Sequence, residues 1–119
     1  MHSYILHITT PAEWEQAQSQ ESYKADSLTS EGFIHCSTFQ QVTGVVNQWF
    51  KGKSGLLLLV IDTNKLQHEL KYEDSYGHGD EFPHLYGALN LDAVIDQVAL
   101  EPNTDGDFDY PDALNKFSH

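Results

Sequence analysis

The spacing of apolar positions changes several times along the chain, and each change marks an element. Tyr4 to Ile8 is an apolar run of strand length. Thr10-Pro11-Ala12-Glu13 then carries three helix-start signals. Thr10 can accept from a first-turn N–H, Pro11 suits a position whose own N–H has no partner, and Glu13 completes a capping box. The helix runs to about Gln18, turns Trp14 and Ala17 inward and is otherwise polar. Tyr23 to Ser30 has neither period and reads as a loop or short turn. Gly32 to Cys36 is short, apolar and β-prone, which predicts a strand. Beyond it Phe39, Val42, Val45, Val46, Trp49 and Phe50 recur near the 3.6 spacing of an amphipathic helix. Thr38-Phe39-Gln40-Gln41 is a second capping-box pattern, and Lys51 and Gly52 suit the helix end.

Leu56 to Ile61 is continuously apolar between Gly55 and Asp62, the mark of a buried central strand. Leu70 to Glu73 alternates and predicts another strand, followed by a Gly- and His-containing loop from Ser75 to Glu81. Phe82 to Tyr86 contains Pro83, which has no N–H for a ladder, so this segment is expected on a loop or an edge. Ala93 to Leu100 is rich in β-branched residues and reads as a strand after a turn at Asn90 to Asp92. Asn103 to Asp107 is a turn, followed by Phe108 to Tyr110 and a polar tail. There is no repeat or linker. Residues 1–119 read as a single globular domain with five to seven short strands and two main helices in the N-terminal half. The helices do not alternate with the strands, which predicts an α+β fold.

Charge narrows the function classes. The 119 residues include 18 acidic and six basic side chains, for a net charge of −12. All six basic residues are lysines, and from Glu73 to His119 only Lys116 stands against eleven acids. No basic footprint exists to displace counterions from nucleic acid, and an anionic membrane would repel the chain. No run reaches the roughly 18 apolar residues of a membrane helix. The start of the chain lacks the basic region and cleavage site of a signal peptide. A single cysteine, Cys36, fits a reducing cytoplasm. Without arginine there is no bidentate clamp for phosphate or carboxylate, so backbone N–H groups, hydroxyls, His or Lys must hold any phosphate.

Two His-centred motifs concentrate the chemistry: Gly32-Phe33-Ile34-His35-Cys36-Ser37-Thr38 and Phe82-Pro83-His84-Leu85-Tyr86-Gly87. His35 ends one predicted strand just before a helix start. There Ser37, Thr38 and free backbone N–H groups could receive a phosphate, carboxylate or ribose. The competing reading is that Ser37 and Thr38 only cap the helix. His84 and Tyr86 are two apart and share one face of an extended segment; the competing reading is a proline turn anchored by aromatic side chains. Glu73 and Glu81 lie near the second motif and could supply a carboxylate. Glu31 and Asp26 read as solvated surface. His78, Asp80, His84 and His35 are metal-ligand types, but their spacing matches no strong template. Glu101 to Asp112 echoes a calcium loop and is better read as an Asp-Gly turn. Cys36 neighbours His35 on a strand and so faces away from it, as a buried small hydrophobe.

Taken together, the two motifs resemble those of a family of small, mostly bacterial proteins known only as a domain of unknown function. The resemblance covers nearly the whole chain. It implies a fold similar to the ADP-ribosyltransferases, a split mixed β-sheet with NAD in the cleft between its halves. On that resemblance His35 with Ser37 or Thr38 looks like the element that holds the NAD ribose, Tyr86 could be the aromatic that stacks on nicotinamide, and Glu101 is the only Glu after it. The expected site is then His35, His84 and Glu101 as catalytic groups, with Ser37, Thr38, Tyr86, Glu73 and Glu81 binding ligand and no resident metal. Three function classes follow: a cleft that binds NAD or another nucleotide-like polar ligand, an enzyme of glycosidic-bond chemistry similar to ADP-ribosyl transfer or NAD hydrolysis, and a structural or protein-interaction domain.

Overall fold

The computed structural model describes residues 4–74, 77 and 79–117. Its elements in order are β1 (Tyr4–Thr9), α1 (Pro11–Gln20), β2 (Ser22–Tyr23), α2 (Asp26–Ser30), β3 (Ile34–His35), α3 (Val42–Trp49), β4 (Leu56–Asp62), β5 (Glu69–Glu73), β6 (Phe82–Tyr86), β7 (Leu89–Asn90) and β8 (Val94–Leu100). The strands form three small sheets ordered β1-β4-β8, β2-β7 and β3-β6-β5. The fold is α+β, as the pattern predicts. Among the described residues every strand pairing is antiparallel, where the family resemblance implied a mixed sheet. An antiparallel ladder tolerates one uncovered face, and the β3-β6-β5 sheet uses that freedom to present a polar face.

The central strand β4 explains its own unbroken hydrophobicity. Leu59 and Ile61 face a core with Ile5, Trp14, Ala17, Tyr23, Ile34 and Leu85. Leu56, Leu58 and Val60 face a second core with Leu6, Val42, Val46, Leu100 and Leu114. Alternate side chains point to opposite faces, so a strand covered on both sides must be apolar throughout. Helix α1 starts as predicted, with the Thr10 hydroxyl accepting from Glu13 N–H at 3.2 Å. Trp14 and Ala17 are buried.

Several expectations need correction. The 23–30 segment holds the two-residue strand β2 and the helical turn α2. Local pattern misses both because each depends on packing rather than period. Helix α3 begins at Val42, not Phe39. Thr38 to Gln41 closes a turn first, with Thr38 O accepting from the N–H groups of Gln41 and Val42 at 3.1 Å. Its predicted apolar face is also incomplete: Val42 and Val46 are buried, but Trp49 is 59% exposed. The tail is not simply polar. Asp112–Phe117 forms a 3-10 turn that buries Leu114 in the second core, with Phe117 edge-on to Tyr4 and Phe39.

The largest correction concerns Pro83. Phe82–Tyr86 is the central strand of its sheet, between β3 and β5. Pro83 lies opposite Tyr72 on β5, while its carbonyl accepts from Cys36 N–H at 3.0 Å on the other side. In an antiparallel strand the N and O of one residue point to the same side. The missing donor therefore falls beside Cys36, where the two-residue β3 has already ended. No ladder bond to β5 is lost.

Candidate functional site

Register brings the two His motifs together. His35 lies directly opposite His84, and Ile34 opposite Leu85. On the next strand Lys71 lies opposite His84, and Leu70 opposite Leu85. One sheet face therefore carries Ile34, Leu85 and Leu70 onto the core. The other face carries Phe33, His35, His84, Tyr86, Lys71 and Glu73. The rings of His35 and His84 meet edge to face at 5.4 Å. Phe33 stacks on His84 at 4.1 Å and lies 4.9 Å from His35 and 5.3 Å from Tyr86. That stacking helps to bury His84, which is 1% exposed although it points away from the core.

Each imidazole is held by a carboxylate. His84 Nδ1 lies 3.0 Å from Glu73 Oε1, and the same oxygen accepts from the Tyr86 hydroxyl at 2.5 Å. The Tyr86 and His84 hydrogen bonds hold the Glu73 carboxyl below its ordinary range. The shared bond to Glu73 pushes the Tyr86 phenol up. An ionised carboxylate only accepts, so the proton between Glu73 and His84 sits on Nδ1. In the neutral ring Nε2 is then a bare acceptor. No described residue hydrogen-bonds Nε2. His35 repeats the arrangement with its nitrogens exchanged: Nε2 is 2.9 Å from Glu31 Oε2, leaving Nδ1 as acceptor. Lys71 Nζ lies 4.9 Å from the centre of the Tyr86 ring, as a cation–π partner.

A third imidazole lies behind the first two. His7 Nδ1–H donates to the His35 carbonyl at 2.6 Å. Its Nε2 is 2.8 Å from the Tyr23 hydroxyl, which lies 3.0 Å from Thr9 Oγ1. Burial holds His7 below the usual histidine range and pushes the Tyr23 phenol up to about 12. The neutral His7 ring therefore accepts at Nε2 while donating at Nδ1, and it ties β1 to the end of β3.

His84, His35 and His7 all border one cleft of about 500 Å³, within the roughly 300–1,000 Å³ range of small-molecule sites. Ser37, Cys36 and Ser27 share the polar wall. The apolar part of the lining is Ile8 on β1, Val45, Trp49 and Phe50 at α3, and Phe82, which shares a strand face with His84, with Gln48 beside the α3 members. Cys36 is buried, and burial pushes its thiol up to about 12, which makes it a packing group and not a nucleophile.

The remaining sequence candidates fall in different places. Ser37 is buried at the cleft, and Thr38 is partly buried beside it. The backbone N–H groups of Cys36, Ser37 and Thr38, in the segment expected to receive a phosphate, are already used. Cys36 N–H donates to Pro83 O, Ser37 N–H to Leu6 O at 2.7 Å, and Thr38 N–H to Gln41 Oε1 at 3.0 Å. Glu73 and Tyr86 back His84 from outside the cleft lining. Glu81 is exposed, and its carbonyl accepts from Gln41 Nε2 at 2.8 Å. Glu101 is not brought to the cluster. Its carboxylate accepts from Gly55 N–H at 3.1 Å, beside the pairing of Leu56 with Leu100 in the other sheet. His78 lies outside the described residues. Among the described residues no three His, Cys, Asp or Glu side chains converge as metal ligands would.

Sequence reasoning passed over Phe33, Lys71, Trp49 and His7 as site residues and read Glu31 only as solvated surface. Glu31 precedes His35 by four residues, a spacing that invites pairing, and Phe33 precedes it by two, a shared strand face. His7 and Trp49 left no local signal, because only tertiary contact brings them to the cleft.

Among the described residues no helix is long and apolar enough to cross a membrane. No curated protein matches the chain. Solved structures do. The crystal structure of protein CC0527 from Caulobacter crescentus, a structural genomics target, is 34% identical, with a TM-score of 0.84 over 94% of this chain and 98% of that one. The solution NMR structure of CC0527 is 33% identical, with a TM-score of 0.81 over 95% and 97% of the two chains. The model of the family described as "Protein of unknown function (DUF952)" matches residues 8–97. By that match, which spans both His motifs, the chain belongs to the DUF952 family.

Proposed function

We propose that this chain is a ligand-binding domain whose cleft takes a small, nucleotide-like polar molecule and grips a ligand hydroxyl between His84 and His35. One observation carries the reading: the buried His84 borders the cleft with Nδ1 engaged by Glu73. A carboxylate that fixes one imidazole nitrogen sets the tautomer and orients the other nitrogen as an acceptor. His35, held by Glu31, supplies a second acceptor across a 5.4 Å ring separation, which suits neighbouring hydroxyls on one sugar ring. Ser37 adds a hydroxyl at the same wall.

The same arrangement favours a second reading, an enzyme. An oriented imidazole whose free nitrogen accepts a proton is the usual general base. In glycosidic-bond chemistry similar to ADP-ribosyl transfer, His84 would deprotonate the attacking hydroxyl. Glu101, the carboxylate expected from the family resemblance, binds Gly55 instead. Glu73, outside the cleft lining, would assist such a step only through the His84 that it holds.

Thermal melting and calorimetry with NAD, adenosine, AMP and ribose test the binding reading. A ligand that binds the folded state raises the melting temperature. His35→Ala, at a half-exposed position, and His84→Gln are expected to lose that rise. Unchanged melting with every compound, together with unmoved His84 ring resonances, removes the reading. Release of nicotinamide from NAD, abolished by His84→Gln, would establish the enzymatic one.

A further inference from the structure

Resting on that binding reading, we infer that the cleft selects an uncharged ligand in which a hydroxylated ring is joined to a flat aromatic one, as in a nucleoside or an aryl glycoside, and rejects its phosphorylated forms.

Three independent features point this way. The first is the supply of anion-binding groups. The N–H donors of Cys36, Ser37 and Thr38 are all spent inside the protein, and no lysine borders the cleft among the described residues. A phosphate at this wall would meet no charged donor and no free backbone amide of that segment, the groups on which such sites depend.

The second is the charge behind the imidazoles. Glu73 stands behind His84 at 3.0 Å and Glu31 behind His35 at 2.9 Å. The chain carries −12 in total. Each imidazole therefore offers a lone pair to a hydroxyl with an anion close behind it, and a second anion in front is repelled.

The third is the apolar part of the lining. Trp49 is 59% exposed at the cleft, an unusual state for a large apolar ring at a position with core-like spacing. Val45, Phe50 and Phe82 flank the same space. A wall with one open indole and two further aromatics accepts a planar ring by stacking and takes little from a bare sugar. The ligand therefore needs both a hydroxylated end for the imidazoles and a flat end for Trp49.

Trp49 also supplies the readout, because the only other tryptophan, Trp14, is buried. Adenosine, AMP, ATP, phenyl glucoside and glucose are titrated against the whole chain, with tryptophan fluorescence and calorimetry as signals, and repeated with Trp49→Ala. Adenosine or phenyl glucoside is expected to quench Trp49, and AMP and ATP to bind at least about tenfold more weakly than adenosine. Glucose is expected to bind no better than the phosphates. Trp49→Ala, at an exposed site that the fold does not need, is expected to weaken the aromatic ligands about tenfold. A preference for adenosine assigns the nucleoside class and a preference for phenyl glucoside the aryl glycoside class; either supports the inference. AMP or ATP binding as tightly as adenosine overturns the inference and leaves the binding reading standing. Binding of glucose alone, or binding indifferent to Trp49→Ala, overturns it too. Silence from all five ligands removes both.

Discussion

The imidazole of His84 loses its solvent without losing its hydrogen bond, and Glu73 is the reason. The folded-state carboxyl of Glu73 sits below its ordinary value of 4.5 because Tyr86 and then His84 donate to it. A carboxyl lowered on folding contributes stability that is present above the unfolded value and is lost as pH falls through the folded one. Glu73→Gln should therefore melt below the wild type at about pH 7, and the gap should close as pH falls below 4.5 and the wild-type carboxyl protonates. Melting curves across that range check this; a gap of constant size would mean that the pair is not what holds the cluster. His7 gives the complementary case. Burial lowers it from 6.5, so the unfolded chain takes up a proton that the folded ring refuses, and stability falls as pH drops through 6.5 toward the lowered value. His7→Gln should flatten that limb of the pH–stability curve and leave the Glu73 limb in place. At this scale the sequence was informative where partners are close along a strand or a turn, as for His35 and His84 in their motifs. It was silent for His7, whose importance depends on a carbonyl 28 residues away.

Strand β6 illustrates how an element can contradict its own composition. Proline argues against a central strand because it removes a ladder donor, yet Pro83 sits where its neighbour β3 has run out. Pro83→Ala restores an N–H that the ladder does not need and frees the unfolded chain, so a cost below about 1 kcal/mol is expected. Leu85→Ala, on the fully buried face of the same strand, should cost about 2–5 kcal/mol. Urea unfolding of the two variants checks the contrast. A large loss at Pro83 would mean that the ring itself braces the strand. The elements legible in the sequence were those with a local signal: α1 with its cap, the apolar or β-branched runs of β1, β3, β4 and β8, and the alternation of β5. Those that escaped, β2, α2 and β7, span two to five residues and are held by tertiary pairing. Trp49 escaped for a different reason. It obeys helical spacing, but the face it occupies opens onto the cleft.

Across the whole molecule, the site depends on both cores at once. The imidazole wall rests on the core that contains Ile34 and Leu85. The Trp49 wall belongs to α3, whose Val42 and Val46 anchor it in the core on the other side of β4. That second core is closed by the chain's last turn, through the fully buried Leu114 and the Phe117 contacts with Tyr4 and Phe39. Leu114→Ala removes a leucine buried in the core that does not contain Ile34 and Leu85 and should cost about 2–5 kcal/mol. Because β4 is shared, that loss should not stay local. Urea unfolding in a Trp14→Phe background, followed by circular dichroism, by Trp49 fluorescence and by the His84 ring resonances, should shift to lower denaturant by the same amount. If the fluorescence transition moves while the His84 signal keeps its wild-type midpoint, the two cores unfold separately, and the cleft is a junction between independent units. If all three move together, the two walls of the cleft share one cooperative fold, and a residue at the far end of the chain sets how often the imidazoles face Trp49.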